Sequence, residues 1–190
     1  MELKMSFRPF LTMFSEAAME KEKEFPERKN LRLRQHDYSA AGAYFVTICV
    51  KDRKQILSEV VRPVGVGAPD DPQISLTEIG RIVERNLLSS EKIPGVTIDG
   101  YVIMPEHIHA MIVLDPGRYV RRPDGSPRAS TPTNQMLPRV VAVFKRLCNK
   151  EIGDDLFQRG YMEHIVRDRK DYETRMKYMY ENPIRRFYGE

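Results

Sequence analysis

Apolar residues along the chain follow two periods, and these periods predict the order of its strands and helices. Short continuous runs of β-forming residues predict buried strands, whereas apolar residues three or four positions apart predict amphipathic helices. The predicted elements, in chain order, are a strand at 44–50, a helix that opens at Ser75 or Thr77 and stops at Pro94-Gly95, strands at 96–104 and 107–114, a helix at 135–150, a strand region at 157–166, and a helix at 167–181 that Pro183 terminates. The short Pro105-Glu106 connection favours an antiparallel hairpin. We therefore predict an α+β domain in which helices pack on an antiparallel sheet, as in split βαβ folds.

Three segments without this patterning are expected to lie outside the core. Residues 1–36 contain the run EKEKEFPERKNLRLR and are predicted to be a charged tail, which leaves 37–190 as one folded domain. The stretch VVRPVGVGAPDDP is predicted to be a loop, and residues at about 115–134 a mobile one. In the tail, Arg32 and Arg34 either remain in solvent or contact phosphates. Later methionines also leave the start codon open.

Composition changes this picture only slightly. A chain of 190 residues with 41% hydrophobic and 31% charged residues can form one soluble domain. Its net charge of +4 permits a polyanionic partner without requiring one. Cys49 and Cys148 belong to no metal or redox spacing, so we expect them to be reduced and buried. No apolar run is long enough to span a membrane, and we expect a cytoplasmic protein.

The sequence His107-Ile108-His109 is the first candidate for chemistry. Alternate residues of a strand share a face, so both imidazoles are predicted to project together while Ile108 enters the core. Two adjacent imidazoles form half of a site for a divalent metal. The alternative is a pair of exposed strand histidines without a ligand.

The last predicted helix carries a second candidate. Tyr178 and Asn182 are four residues apart and therefore share one helix face. If this helix packs beside the histidine strand, Asn182 completes the metal site and Tyr178 faces a bound phosphate. Such a mixed nitrogen and oxygen site suits Mg²⁺ or Mn²⁺ as a Lewis acid. The alternative is that Tyr172, Tyr178 and Tyr180 are core aromatics of an amphipathic helix.

Taken together, these residues resemble the REP-associated tyrosine transposases of the single-tyrosine HUH superfamily. The segments that carry the resemblance cover residues 37–187 and are, in order, GAYFVTICVKDR, LTEIGRIVERN, IDGYVIMPEHIHAMIVL, FQRGYMEHIVRDRKDY and KYMYENP. The combination of a YVIMP strand, an HxH motif and a distant Y-x-x-x-N-P is more specific than any one of its parts.

The resemblance implies a fold, an activity and a set of site residues. The fold would be a ferredoxin-like antiparallel sheet flanked by helices, and residues 37–190 would be the catalytic domain. His107, His109 and Asn182 would hold the metal, and Tyr178 would be the nucleophile. The family cleaves and rejoins single-stranded DNA beside short hairpins, leaving a 5′-phosphotyrosine and a free 3′-OH. Relatives act as monomers or as homodimers that share active sites.

Other residues depart from the family pattern or have two interpretations. Tyr180 offers a second phenol, although it points about 200° from Tyr178 around a helix. Glu106 stands where asparagine is usual; it could tune the site or act as a ligand, and we expect it to face solvent. His164 and Arg167 either contact DNA or support the tyrosine helix, the alternative being a histidine that backbone groups satisfy. A non-catalytic DNA-binding protein of the same fold is the main rival function.

Overall fold

The computed structural model describes residues 41–62, 71–115 and 136–189. Its strands are β1 Gly42–Cys49, β2 Ser58–Val61, β3 Gln73–Leu76, β4 Val96–Ile103, β5 His107–Leu114 and β6 Met162–Val166, and its α-helices are α1 Glu78–Ser89, α2 Met136–Ile152 and α3 Arg169–Tyr188. The predicted tail with Arg32 and Arg34, and nearly all of the predicted loop at 115–134, lie outside the described residues.

Four of the strands form one antiparallel sheet in the order β4-β5-β1-β6. The hairpin predicted across Pro105-Glu106 joins β4 to β5. With one helix between β1 and β4 and another between β5 and β6, this order is that of a ferredoxin-like sheet. The predicted α+β class, an antiparallel sheet flanked by helices, is confirmed.

The two faces of the sheet are covered by different helices. On one face, side chains such as Tyr44, Ile48 and Ile108 pack with α1 and α2 in the larger core cluster. On the other face, Phe45 and its neighbours pack against α3 in a second cluster. Because alternate residues of a strand point to opposite faces, the odd-numbered positions of β1 and β5 all face α3. The HxH motif is therefore on the α3 side of the sheet.

Helix α3 is longer than predicted. It begins after Asp168, whose side chain accepts a hydrogen bond from the Asp171 amide, and it continues through Pro183 to Tyr188. The prediction that Pro183 ends the helix is wrong. A proline removes one helical hydrogen bond, but Pro183 and Met179 are both buried, and their packing holds the last two turns in place.

The prediction of a loop after β1 was also incomplete, because the segments on either side of that loop pair as the antiparallel hairpin β2–β3. These strands have four residues each and too little alternation to be recognised, yet Val60 and Ile74 pack on the α3 cluster. The predicted strand region at 157–166 is shorter in the structure, where Phe157 makes only an isolated bridge to Val50. Helix α1 begins after Thr77, whose hydroxyl caps the Gly80 amide. None of the helices in the described ranges is long and apolar enough to cross a membrane.

Candidate active site

The two imidazoles of the HxH motif meet edge to face beneath α3. Their Nε2 atoms are 3.0 Å apart, and the ring centroids are 4.6 Å apart. His109 is 5% exposed, and His107 is partly buried at the start of β5. Ile108 between them is fully buried in the opposite core, as the strand period predicts.

Each imidazole also has a polar side chain near its Nδ1 atom. Thr47 faces His109 across the β1–β5 ladder, and its Oγ1 is hydrogen-bonded to His109 Nδ1 at 2.8 Å. Glu106 Oε1 lies 3.4 Å from His107 Nδ1. Thr47 thus engages Nδ1 of His109, Glu106 lies close to Nδ1 of His107, and the two Nε2 atoms face each other.

The expectation that Glu106 faces solvent is wrong, since its side chain is only 15% exposed. The backbone explains the difference: the Glu106 carbonyl accepts a hydrogen bond from the Val50 amide at 2.9 Å, which holds the β4–β5 turn against the end of β1. The carboxylate is then directed over His107, with Arg186 of α3 3.8 Å from its Oε1.

Burial keeps both imidazoles neutral near neutral pH. It lowers the pKa of His107, an effect that the negative charge of Glu106 opposes. It lowers the pKa of His109 to about 3, with smaller contributions in the same direction from His107 and Arg53. A neutral imidazole has a nitrogen lone pair available for a metal.

Tyr178 is the tyrosine that the structure brings to the histidines, and it comes from the same chain. Its ring centroid is 5.3 Å from that of His109 and 6.1 Å from that of Phe45, edge-on in both cases. Phe45 itself stacks on His109 at 5.1 Å with an interplanar angle of 23°. Because Tyr178 is 38% exposed, its phenol can be reached from solvent.

The other two tyrosines of α3 point elsewhere. Tyr180 is directed to a different side of the helix, where its hydroxyl is 3.4 Å from Asp71 Oδ2. Tyr172 donates a hydrogen bond to Asp99 at the β4 bulge. This agrees with the angle expected between positions 178 and 180 on a helix, and Tyr178 stands apart from both.

Asn182 lies one turn after Tyr178 on α3 and is partly buried. One turn further on, Arg186 reaches Glu106. Since Tyr178 contacts His109 and Arg186 contacts the residue before His107, Asn182 lies on the helix stripe that faces the two imidazoles. No three His, Cys, Asp or Glu side chains in the described ranges are grouped to hold a metal.

The remaining predicted residues, His164 and Arg167, lie near the start of α3. His164 is paired with the Asp171 carboxylate at 2.7 Å and is not satisfied by backbone groups. Arg167 is exposed, and its amide donates to Asp171 at 3.3 Å. Burial raises the pKa of Asp171, but the hydrogen bonds from His164 and the Arg167 amide outweigh it, so the pKa is lowered and the carboxyl is ionised.

Two residues of the site, Thr47 and Phe45, were not identified from the sequence. Both occupy odd positions of β1, and a register pairing Thr47 with His109 would have placed them on the α3 face. That register depends on which strand lies beside β5, which the periodicity of a single strand does not specify.

Comparison with known proteins finds relatives in sequence and in fold. No family model matches the chain. An uncharacterized protein of Haemophilus influenzae is 31% identical over 171 residues, which are 83% of this chain and 88% of that protein. A second protein of that organism, named "Putative REP-associated tyrosine transposase", is 26% identical over 157 residues, 81% of this chain and 77% of its own length.

A solved structure shares the fold of this chain. The solved structure of a REP-associated tyrosine transposase bound to a REP hairpin matches with a TM-score of 0.53 and 20% identity, over 82% of this chain and 73% of that one. The sequence relatives extend over most of the described domain, and the solved structure shares its ferredoxin-like sheet with helices on both faces. The chain is therefore similar in sequence and in fold to REP-associated tyrosine transposases.

Proposed function

We propose that this protein is a REP-associated tyrosine transposase, a single-stranded DNA endonuclease and strand transferase that acts at hairpin-flanked sites. Tyr178 is its nucleophile, and His107, His109 and Asn182 hold a divalent metal, Mg²⁺ or Mn²⁺. The observation that carries the proposal is the contact of the exposed Tyr178 ring with His109 of the same chain. Hairpin DNA is favoured as the partner because the matching solved transposase is bound to a REP hairpin.

The donor set fits such a metal. The Nε2 atoms of His107 and His109 are 3.0 Å apart, which is close to the roughly 3.0 Å between adjacent ligands of a six-coordinate ion with bonds of about 2.1 Å. Thr47 and Glu106 behind the rings resemble the outer partners that orient metal-binding histidines. When bound there, the ion supplies Lewis-acid polarisation of the scissile phosphate.

The chain's own residues account for the covalent step. The Tyr178 hydroxyl loses its proton, and its oxygen forms a bond to the phosphorus. The bond from phosphorus to the 3′ oxygen breaks, and that oxygen keeps the electron pair and takes up a proton to become a 3′-OH. Attack of a 3′-OH on the resulting 5′-phosphotyrosine reverses the step, joins two DNA ends and restores Tyr178.

The neighbours of Tyr178 limit where its phenol can go. Phe45 and His109 contact its ring edge-on, and α3 is anchored on both sides of it, by His164 with Asp171 and by Glu106 with Arg186. Holding the nucleophile in one region lowers the entropy that the reaction must overcome.

A covalent-adduct assay tests this function. The protein is incubated with Mn²⁺ and labelled single-stranded oligonucleotides that carry a REP hairpin, then boiled in detergent and separated by electrophoresis. We expect a labelled protein band that is lost in Tyr178→Phe and retained in the matched control Tyr180→Phe. If the unmodified protein binds the oligonucleotide in a salt-sensitive manner without forming any adduct, the chain is a DNA-binding protein of the same fold.

A further inference from the structure

Three titratable or charged side chains meet where α3 approaches β6, on the N-terminal side of Tyr178 in the helix. Arg175 is three residues before Tyr178 on the helix, and Asp171 is one turn before Arg175. Asp171 accepts a hydrogen bond from Arg175 Nε on Oδ1 at 3.3 Å and one from His164 Nε2 on Oδ2 at 2.7 Å. We call His164, Asp171 and Arg175 the Arg175 cluster. The metal and nucleophile roles proposed above leave Arg175 unused.

Arg175 is held against the same aromatic ring that supports Tyr178. Its guanidinium carbon is 5.8 Å from the centroid of Phe45, within the range of a cation–π contact. The Phe45 ring also contacts Tyr178 and His109. Guanidinium, phenol and imidazole therefore surround one side chain of β1. Arg175 and Tyr178 are 34% and 38% exposed, so a ligand from solvent can reach both.

The hydrogen bonds of Arg175 leave its outer edge open to an acceptor. Asp171 takes the Nε proton, whereas Nη2 has only a long contact of 3.4 Å with His164 Nε2. Because His164 Nε2 already donates to the ionised Asp171, that contact brings two donors together and does not satisfy Nη2. Within the described ranges, Asp171 is the only oxygen acceptor of this guanidinium. A guanidinium oriented in this way matches two oxygens of a phosphate.

From this arrangement, and resting on the proposed function of Tyr178, we infer that Arg175 is a further catalytic residue. It contacts the non-bridging oxygens of the phosphate that Tyr178 attacks. As the bond from Tyr178 to phosphorus forms and the bond to the 3′ oxygen breaks, Arg175 stabilises the charge on those oxygens. Asp171 and His164 position the guanidinium and do not touch the DNA phosphate themselves.

The kinetic test compares Arg175→Ala and Arg175→Lys with Arg169→Ala in a single-turnover adduct assay. Arg169 is the matched control, because it also makes an i,i+4 ion pair through Nε on α3, with Glu173, but it is 69% exposed. We expect Arg175→Ala to slow adduct formation about 10²-fold, comparable with the loss of one transition-state donor. Arg175→Lys should slow adduct formation less than Arg175→Ala does, and Arg169→Ala should leave the rate almost unchanged. With a neutral methylphosphonate at the scissile position, the penalty of Arg175→Ala should shrink.

A second measurement does not depend on catalysis or on the DNA sequence. Inorganic phosphate is titrated into the DNA-free protein while NMR records the arginine Nε–H resonances. The Arg175 resonance should shift and saturate, whereas that of Arg169 should not.

The adduct assay and the phosphate titration together distinguish failure of the Arg175 role from failure of the proposed function. An adduct that forms equally fast in Arg175→Ala and Arg169→Ala overturns the role of Arg175 and leaves the proposed function intact. If no adduct forms at all, the proposed function fails. In that case a saturable shift of the Arg175 resonance still supports the contact between Arg175 and phosphate, whereas an unshifted resonance overturns that contact too.

Discussion

Substitution of Thr47 by valine removes one hydroxyl from the site and little else. Thr47 is 8% exposed, valine has nearly the same shape, and the lost contact is the 2.8 Å hydrogen bond to His109 Nδ1. A buried donor left without a partner costs about 1–3 kcal/mol. When Nε2 binds a metal, the imidazole proton must lie on Nδ1, where the Thr47 hydroxyl can accept it; in the valine variant that proton has no partner. Loss of such an outer partner weakens metal binding by about 10–100-fold, or about 1.4–2.7 kcal/mol, which agrees with the hydrogen-bond cost.

Calorimetric titration of Mn²⁺ into the DNA-free protein measures this effect directly. We expect roughly 30-fold weaker binding in Thr47→Val than in the unmodified protein. The matched control is Ser58→Ala, which deletes a buried hydroxyl that donates to the Ile103 carbonyl at 2.7 Å and is hydrogen-bonded to neither imidazole. That control should lower the free energy of unfolding by about 1 kcal/mol and leave Mn²⁺ affinity unchanged. Equal Mn²⁺ affinity in Thr47→Val and the unmodified protein would refute the orienting role of Thr47.

Three further predictions concern the packing of α1, the burial of His109 and the carboxylate of Glu106. A Cβ added at Gly80 would lie 1.9 Å from the Leu57 carbonyl oxygen, so Gly80→Ala should lower the free energy of unfolding, measured with urea, by about 3 kcal/mol or more. Gly160 has open space around it, so Gly160→Ala should change that free energy very little, and similar values for both variants would contradict the packing of α1. Burial lowers the pKa of His109 to about 3 from a value near 6.5 in the unfolded chain, so between these pH values the unfolded chain binds more protons than the folded one. The free energy of unfolding should therefore fall as the pH drops from about 6.5 towards 3, and an equally steep fall in His109→Gln would contradict this cause. In calorimetry, Glu106→Gln should weaken Mn²⁺ binding about 10-fold, and unchanged affinity would show that the carboxylate does not support His107.

The sequence was sufficient to predict elements whose period is regular. Alternation in β5 placed His107 and His109 on one face and Ile108 in the opposite core, and this is the arrangement found. The four-residue spacing of Tyr178 and Asn182 likewise gave their shared stripe on α3. Such local rules are reliable because they follow from the geometry of a single element.

Features that depend on contacts between distant segments were beyond such rules. Pro183 was expected to end α3, but the burial of Pro183 and Met179 on the sheet outweighs the missing hydrogen bond. Glu106 was expected in solvent, but a backbone bond to Val50 turns it over His107. In both cases tertiary packing overrides a local preference.

The position of the Tyr178 phenol also depends on tertiary packing. The spacing within α3 predicts which residues share a face, but it does not specify which face of the sheet the helix covers. Helices α1 and α2 occupy one face, and α3 covers the other, where Met176 and Met179 pack with Phe45. That packing brings Tyr178 to His109.

Mapping the tyrosine that carries DNA tests directly whether Tyr178 is the nucleophile. The covalent adduct is trimmed with nuclease and digested with protease, and mass spectrometry then locates the nucleotide on the peptide. We expect a nucleotide attached through a 5′-phosphate to Tyr178. Attachment at Tyr180, whose hydroxyl lies towards Asp71, or at a residue outside α3 would contradict it.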